Sequence, residues 1–310
     1  MVKKRINKQV YIGITKEDYN MNTIITTDSS SDLPLEYVEK NNIQTLGLIC
    51  HLEGQDYIDD FGKTLTYEEF YGKLRKGAMP TTSQINVYRF EDLFRKYVKE
   101  GKSIIHLSMS SKISGCYSSA IIAKKTIEEE IKGADITVID TKSASIGEGI
   151  LVYTAVEMLN GGASKEEIIN WVEENKLKLH HWFIVEDLIH LKRGGRLSSA
   201  KANIGTLLQI KPLIYIDKEG NLQNLSNIRG RKKAIKSLMD KFEENIVDTE
   251  NLVVGISHGD CLSDALYLKE MILEKYNVKK VLINHVGPVI ASHTGAGMLS
   301  LCFIGKDRVI

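Results

Sequence analysis

The chain has 310 residues, 43% of them hydrophobic and 26% charged, with a net charge of +1. These are the proportions of a soluble globular protein large enough for a substantial core and one or two domains, and no run approaches the roughly 20 apolar residues of a membrane span. The four cysteines Cys50, Cys116, Cys261 and Cys302 are scattered without a CxxC spacing, which argues against structural zinc and for free thiols in a reducing, cytoplasmic setting.

Residues 1–20 fit nothing downstream and read as an N-terminal extension. Its start, Met1-Val2-Lys3-Lys4-Arg5-Ile6, has no following apolar core of signal-peptide length. From 21 to 178, short apolar runs alternate with amphipathic helical stretches. Strands are expected at Thr23–Thr27, Ile43–Cys50, Ser103–Leu107 and Ile136–Asp140. Helices are expected at Leu35–Asn41, Thr66–Lys76, Val87–Glu100, Cys116–Ile131, Ile146–Asn160 and Lys165–Asn175. Such alternation predicts a parallel sheet with helices on both faces. Ser164 stands three residues before Glu167, a capping-box spacing, and Gly161-Gly162 ends the preceding helix.

Residues 179–310 read differently. A strand at Trp182-Phe183-Ile184-Val185 precedes the irregular Leu191-Lys192-Arg193-Gly194-Gly195-Arg196-Leu197-Ser198. A hairpin follows, from Lys211–Ile216 through Asp217-Lys218-Glu219-Gly220 to Asn221–Leu225. Then come a helix from Arg231 to about Ile246, a strand at Leu252–Ser257, a helix at Ser263–Tyr276 and a strand at Val281–Val286. The expectation is an α/β protein of two domains, a parallel-sheet N-terminal domain and a mixed α+β C-terminal one. Between Leu191 and Lys236 stand eleven Lys/Arg against two acidic residues. Their field suits an acidic or phosphate-bearing partner, but without interleaved aromatics or a binding motif nucleic acid is not expected.

Three hydroxyl-rich segments and one glycine-histidine loop carry the chemistry. They are Thr27-Asp28-Ser29-Ser30-Ser31-Asp32, Pro80-Thr81-Thr82-Ser83-Gln84, Ser108-Met109-Ser110-Ser111-Lys112-Ile113-Ser114-Gly115, and Gly287-Pro288-Val289-Ile290-Ala291-Ser292-His293-Thr294-Gly295. Any single Ser/Thr turn reads as helix capping. Three of them with a histidine loop point to a site for an acid, because hydroxyls and helix N-termini hold anions. Asp28 and Asp32 read as local turn formers and not as metal ligands. His106 and His285, in or beside apolar strands, read as core or edge histidines. The Lys192–Arg196 segment either binds phosphate or ties down its loop through backbone carbonyls.

Together these motifs, with Asp140-Thr141-Lys142-Ser143-Ala144-Ser145, Lys211-Pro212 and Arg229-Gly230-Arg231-Lys232-Lys233, resemble the DegV family from about Met21 to the C-terminus. The resemblance implies two α/β domains with one long-chain fatty acid between them, its tail in an apolar tunnel. It places Thr82 and Ser114 on the carboxylate, with His293 and Arg229 at the exposed end. It further implies a lipid-binding subunit of a bacterial fatty acid kinase with a place in phospholipid metabolism. Such a subunit has no catalytic residue, metal or cofactor of its own, works with a separate ATP-binding subunit, and makes at most transient membrane contact. The sequence departs from the family pattern at Gln84-Ile85, where a proline often follows the glutamine, and at Cys116, where threonine is common.

Two other readings arise from the same residues. One makes Ser114 and His293 the pair of a stand-alone acyl hydrolase, although no GxSxG elbow is present. The other assigns the dipole-facing serines and the basic run to a sugar-phosphate or nucleotide, although no Walker A motif is present.

Overall fold

The computed structural model describes residues 22–197 and 209–308. The N-terminal extension and Ser198 lie outside the described residues. The chain runs from β1 (Thr23–Asp28) through a 3₁₀ turn (Ser29–Ser31) to α1 (Leu35–Lys40), β2 (Gln44–Leu46), β3 (Ile49–Leu52), β4 (Gln55–Ile58) and α2 (Tyr67–Arg75). Next come β5 (Thr81–Ser83), α3 (Val87–Lys99), β6 (Ser103–Ser108), α4 (Cys116–Glu130), β7 (Ile136–Asp140), α5 (Ser145–Asn160) and α6 (Lys165–Asn175). The second half comprises β8 (Leu179–Ile184), α7 (Ile189–Arg193), β9 (Ile210–Ile216), β10 (Leu222–Arg229) and α8 (Arg231–Asn245). It ends with β11 (Val253–His258), α9 (Leu262–Leu273), β12 (Lys280–His285), α10 (Pro288–Thr294) and β13 (Leu299–Ile304).

The first half carries the expected parallel sheet, in the order β2-β1-β6-β7. Period-two alternation gives it two apolar faces. In β6, Ile104 joins Phe90, Phe94 and Ala120 of α3 and α4, whereas Ile105 and Leu107 join Ile146 and Ile150 of α5. The second half is a mixed sheet, order β10-β9-β8-β13-β11-β12, in which only β11 and β12 run parallel among the described pairs. Its outer face takes α8 and α9 through Trp182, Ile184, Val254, Leu301 and Phe303.

Helix α5 lies between the two sheets and is buried nearly all round in its first three turns, as a helix apolar on every side must be. A Cβ at Gly149 would lie 2.5 Å from the Ser31 carbonyl, and one at Gly255 would lie 2.8 Å from Ile146. The small residues therefore set the spacing of the central layer. One core cluster draws Ile25, Ile105 and Val152 together with Leu179, Val253 and Cys302, so both sheets share it.

Three local expectations are corrected. The run Ile43–Cys50 is not one strand: β2 belongs to the parallel sheet, while β3 pairs antiparallel with β4 and β5 in a separate sheet. Gly47 makes the crossing, where a Cβ would sit 2.3 Å from the Asp59 carbonyl. Thr81–Ser83 is an edge strand rather than a turn. The glycine-histidine segment is the helix α10, begun by Pro288 at its first turn and stopped by Gly295 at φ 79°.

Candidate functional site

A mainly apolar cleft opens between the two sheets. Its walls include Met109 and Ile113 after β6, Phe183 of β8, Ile216 and Leu222 of the β9–β10 hairpin, and Val289 and Ile290 of α10. Strand β8 is buried on both faces, and its alternation sends His181 and Phe183 to the cleft while Trp182 and Ile184 pack under α8 and α9. The hairpin turn closes on the serine-rich turn: Ser110 Oγ donates to the Gly220 carbonyl at 2.9 Å, and Gly220 has φ 93° with no room for a Cβ beside Ser110. Ser110 is thereby occupied structurally.

Three of the four expected site residues, Thr82, Ser114 and His293, line this cleft. Thr82 comes from β5, held by pairing with Cys50 of β3. Its Oγ1 lies 2.8 Å from Nε2 of His293, in the last turn of α10. Ser114 stands just before α4, whose N-terminal amides face it; its Oγ accepts from Cys116 N at 3.3 Å and lies 3.2 Å from Cys116 Sγ. Desolvation pushes the His293 imidazole down to about 4, with Arg196 and Arg193 pushing the same way. The ring is therefore neutral near pH 7. Its Nδ1 is buried without a hydrogen-bond partner, against Gly194, where a Cβ would sit 2.1 Å away. Burial raises the Cys116 thiol to about 12, so it remains protonated beside Ser114.

Arg229 is placed elsewhere: it ends β10, exposed, paired in register with Ile210 and outside the cleft lining. The arginine in the lining is Arg196. Its Nε donates to the Ile113 carbonyl at 3.3 Å and its Nη1 to the Gly194 carbonyl, while Arg193 Nη2 donates to the Pro80 carbonyl at 2.6 Å. Of the two readings left open for the Lys192–Arg196 segment, the structure thus shows the carbonyl ties. Part of the basic run is also internally matched, since Lys211 and Arg231 both pair with Glu186.

Sequence reasoning missed His181 in the lining and named Gln84, Ser145 and Arg196 only as members of longer segments, not as site residues. His181 sits in an apolar strand with nothing in its spacing to mark it, and only a strand buried on both faces brings it inward. Conversely, Thr27-Asp28-Ser29-Ser30-Ser31-Asp32 does not face the cleft. Asp28 accepts from Ser30 N at 3.0 Å, a local bond as expected, but also from Met109 N at 3.2 Å, 81 residues away. Asp32 departs from that expectation by reaching Ser145 and, at 2.8 Å, the amide of Gly287.

The arrangement can hold an acid through two hydroxyls and a neutral imidazole, with a guanidinium nearby and apolar walls behind. Among the described residues no hydrogen bond joins Ser114 to His293, and no carboxylate meets His293 Nδ1 to orient it.

A family model described as an uncharacterised protein of the DegV family matches residues 22–306. A DegV domain-containing protein of Clostridium perfringens is 49% identical over 285 residues, covering 92% of this chain and 98% of its own. A solved structure described as fatty acid binding of a DegV family protein from Thermus thermophilus aligns with a TM-score of 0.83. It is 31% identical and covers 92% of this chain and 100% of its own. That of DegV from Bacillus subtilis, described as a fatty acid binding protein, aligns with a TM-score of 0.80 at 30% identity, over 92% and 99%.

Proposed function

Since the chain belongs to the DegV family, we propose that it is a fatty-acid carrier, holding one long-chain acid in the cleft and presenting its carboxylate to a separate ATP-binding kinase subunit. The observation that carries this reading is the lining of the cleft, mainly apolar, with Thr82, Ser114 and His293 as polar groups in it. Burial of the acyl chain supplies the affinity at about 0.8 kcal/mol per CH₂, before association costs. The polar groups hold the carboxylate by hydrogen bonds and leave an oxygen available for transfer. The descriptions of the solved relatives as fatty acid binding support the same ligand class. In this reading Arg229 and its basic surroundings meet the kinase partner, and the carrier works in the cytoplasm.

Two measurements test it. Extraction of the purified protein and mass spectrometry of the extract should return a long-chain fatty acid, and delipidation should lower the melting temperature because the ligand binds only the folded state. No lipid and no shift on adding oleate would refute the carrier. For the kinase step, Arg229→Ala should slow acyl-phosphate formation with kinase and ATP while leaving oleate binding unchanged. Equal phosphorylation by wild type and variant would remove Arg229 from that role.

A further inference from the structure

Two buried carboxyls flank the start of α10. Asp32 is 2% exposed and Asp59 4%. Asp32 Oδ1 accepts the Gly287 amide at 2.8 Å, and its Oδ2 accepts the Ser145 hydroxyl. Asp59 faces the Ser29 hydroxyl and the amides of Phe61 and Val289. A Cβ built on Gly287 would lie 3.0 Å from Asp32 Oδ1 and 3.0 Å from Asp59 Oδ2, so the two carboxyls grip one glycine from either side. Asp59 Oδ2 is buried with no hydrogen-bond partner. Among the described residues neither carboxyl forms an ion pair.

We propose that Asp32 and Asp59 are positioning residues for the His293–Thr82 end of the cleft, a carboxyl pair that holds a single proton across the Gly287 loop and so seats the helix carrying His293. Two anions this close in a dry site without a cation repel each other and forfeit hydration, so one proton between them is the favoured state. The unpartnered Asp59 Oδ2 is the oxygen available to carry it. The Asp32 carboxyl, which burial also holds well above the usual carboxylate range, accepts from the Gly287 amide and the Ser145 hydroxyl. The seat matters because α10 is short: from Gly287 it runs less than two turns to His293. The other titratable groups facing the pair reinforce the effect. Asp28 adds negative charge beside Asp32, Asp60 adds it beside Asp59, and Tyr67, Tyr71, Cys50 and Cys302 are held neutral by burial. Glu148, which accepts from Thr27 and Ser30, is a further buried carboxyl near Asp28 and Asp32.

The proposal concerns the site read above as the carboxylate end, but its test needs no ligand. Infrared spectra of the full-length protein near pH 6.5 should show a protonated-carboxyl band that Asp59→Asn weakens, the buried Asp32 and Glu148 carboxyls supplying the rest. The His293 imidazole resonance in nitrogen-labelled protein should report a step as pH rises from 6 to 8, although the ring itself does not titrate there, and Asp59→Asn should remove the step. No such band in the wild type, or a His293 signal that is flat over that range, overturns the proposal. Should Asp59→Asn fail to fold, these two wild-type spectra still decide it. Oleate titration of the same samples separates the readings: absent binding with the band and step present removes the carrier and leaves the pair.

Discussion

At the residue scale, identity and position contribute separately. His106 and His285 behave as their strands require. His106 is fully buried, 2.9 Å from Thr26 Oγ1 and edge-on to Phe90 and Phe94, and His285 stacks on Tyr67 at 4.8 Å beside His258. Residue type marked the hydroxyl- and glycine-rich segments that hold Thr82, Ser114 and His293, and the family resemblance singled out those three residues within them. What they reach was not legible, because the Thr82–His293 bond spans 211 residues. If these groups hold a carboxylate, Thr82→Ala and Ser114→Ala should each weaken oleate binding by about 0.5–3 kcal/mol, the range from a neutral to a charge-assisted bond. Calorimetric titration checks this, and wild-type affinity in the double variant would place the carboxylate elsewhere. Gly194→Ala should have a different signature. The new methyl group meets His293 Nδ1, so the His293 resonance and oleate affinity should change together while the far-ultraviolet spectrum stays that of the wild type.

At the element scale, long helices with capping signals were legible and short strands were not. The Ser164 box is formed on both sides: Ser164 Oγ accepts from Glu167 N at 3.2 Å, and the Glu167 carboxylate accepts from Ser164 N at 2.7 Å. Ser164→Ala should cost about 0.5–2 kcal/mol of stability, the usual value of an N-cap, and leave ligand binding unchanged. Urea denaturation measures it; a loss of oleate binding would mean that α6 bears on the cleft. The pattern misled at Ile43–Cys50 because apolar alternation continues across Gly47 while the hydrogen-bonding partner changes. It also misled at α10, where Gly-Pro and Gly-Ala-Gly flank a helix of only seven residues. Glycines at both ends read as loop punctuation, and only packing against α7 and the small sheet keeps so short a helix formed.

At the scale of the whole molecule, buried titratable groups give stability two opposing pH arms. Desolvation lowers His106 and His181 to about 3 and His180 to about 4. Their unfolded forms take up protons near 6.5, so the stability they confer is present above that pH and is lost as pH falls toward 3. Asp59 works the other way. Burial raises it from 3.8 to about 7, so the folded state binds the extra proton, and that contribution fades as pH rises from about 4 through 7. Melting temperature should therefore peak in mildly acidic buffer, and Asp59→Asn should reduce only the upper arm, to which the buried Asp28, Asp32 and Glu148 carboxyls, all raised by desolvation, also contribute. A monotonic rise from pH 5 to 8 in the wild type would contradict this balance.

Composition, periodicity and capping spacings by themselves determined the α/β class, the parallel first sheet, the hairpin and the helices from α3 to α6. Each of these depends on residues a few positions apart. The hydroxyls and the imidazole of the candidate site were likewise visible as residue types. Tertiary structure alone decided that Thr82 meets His293, that His181 and Arg196 turn toward the cleft, that Arg229 stands outside it, and that Asp32 reaches Gly287. Those contacts form between segments tens to hundreds of residues apart, and they come together only when α5 is packed between the two sheets. No local spacing encodes that distance.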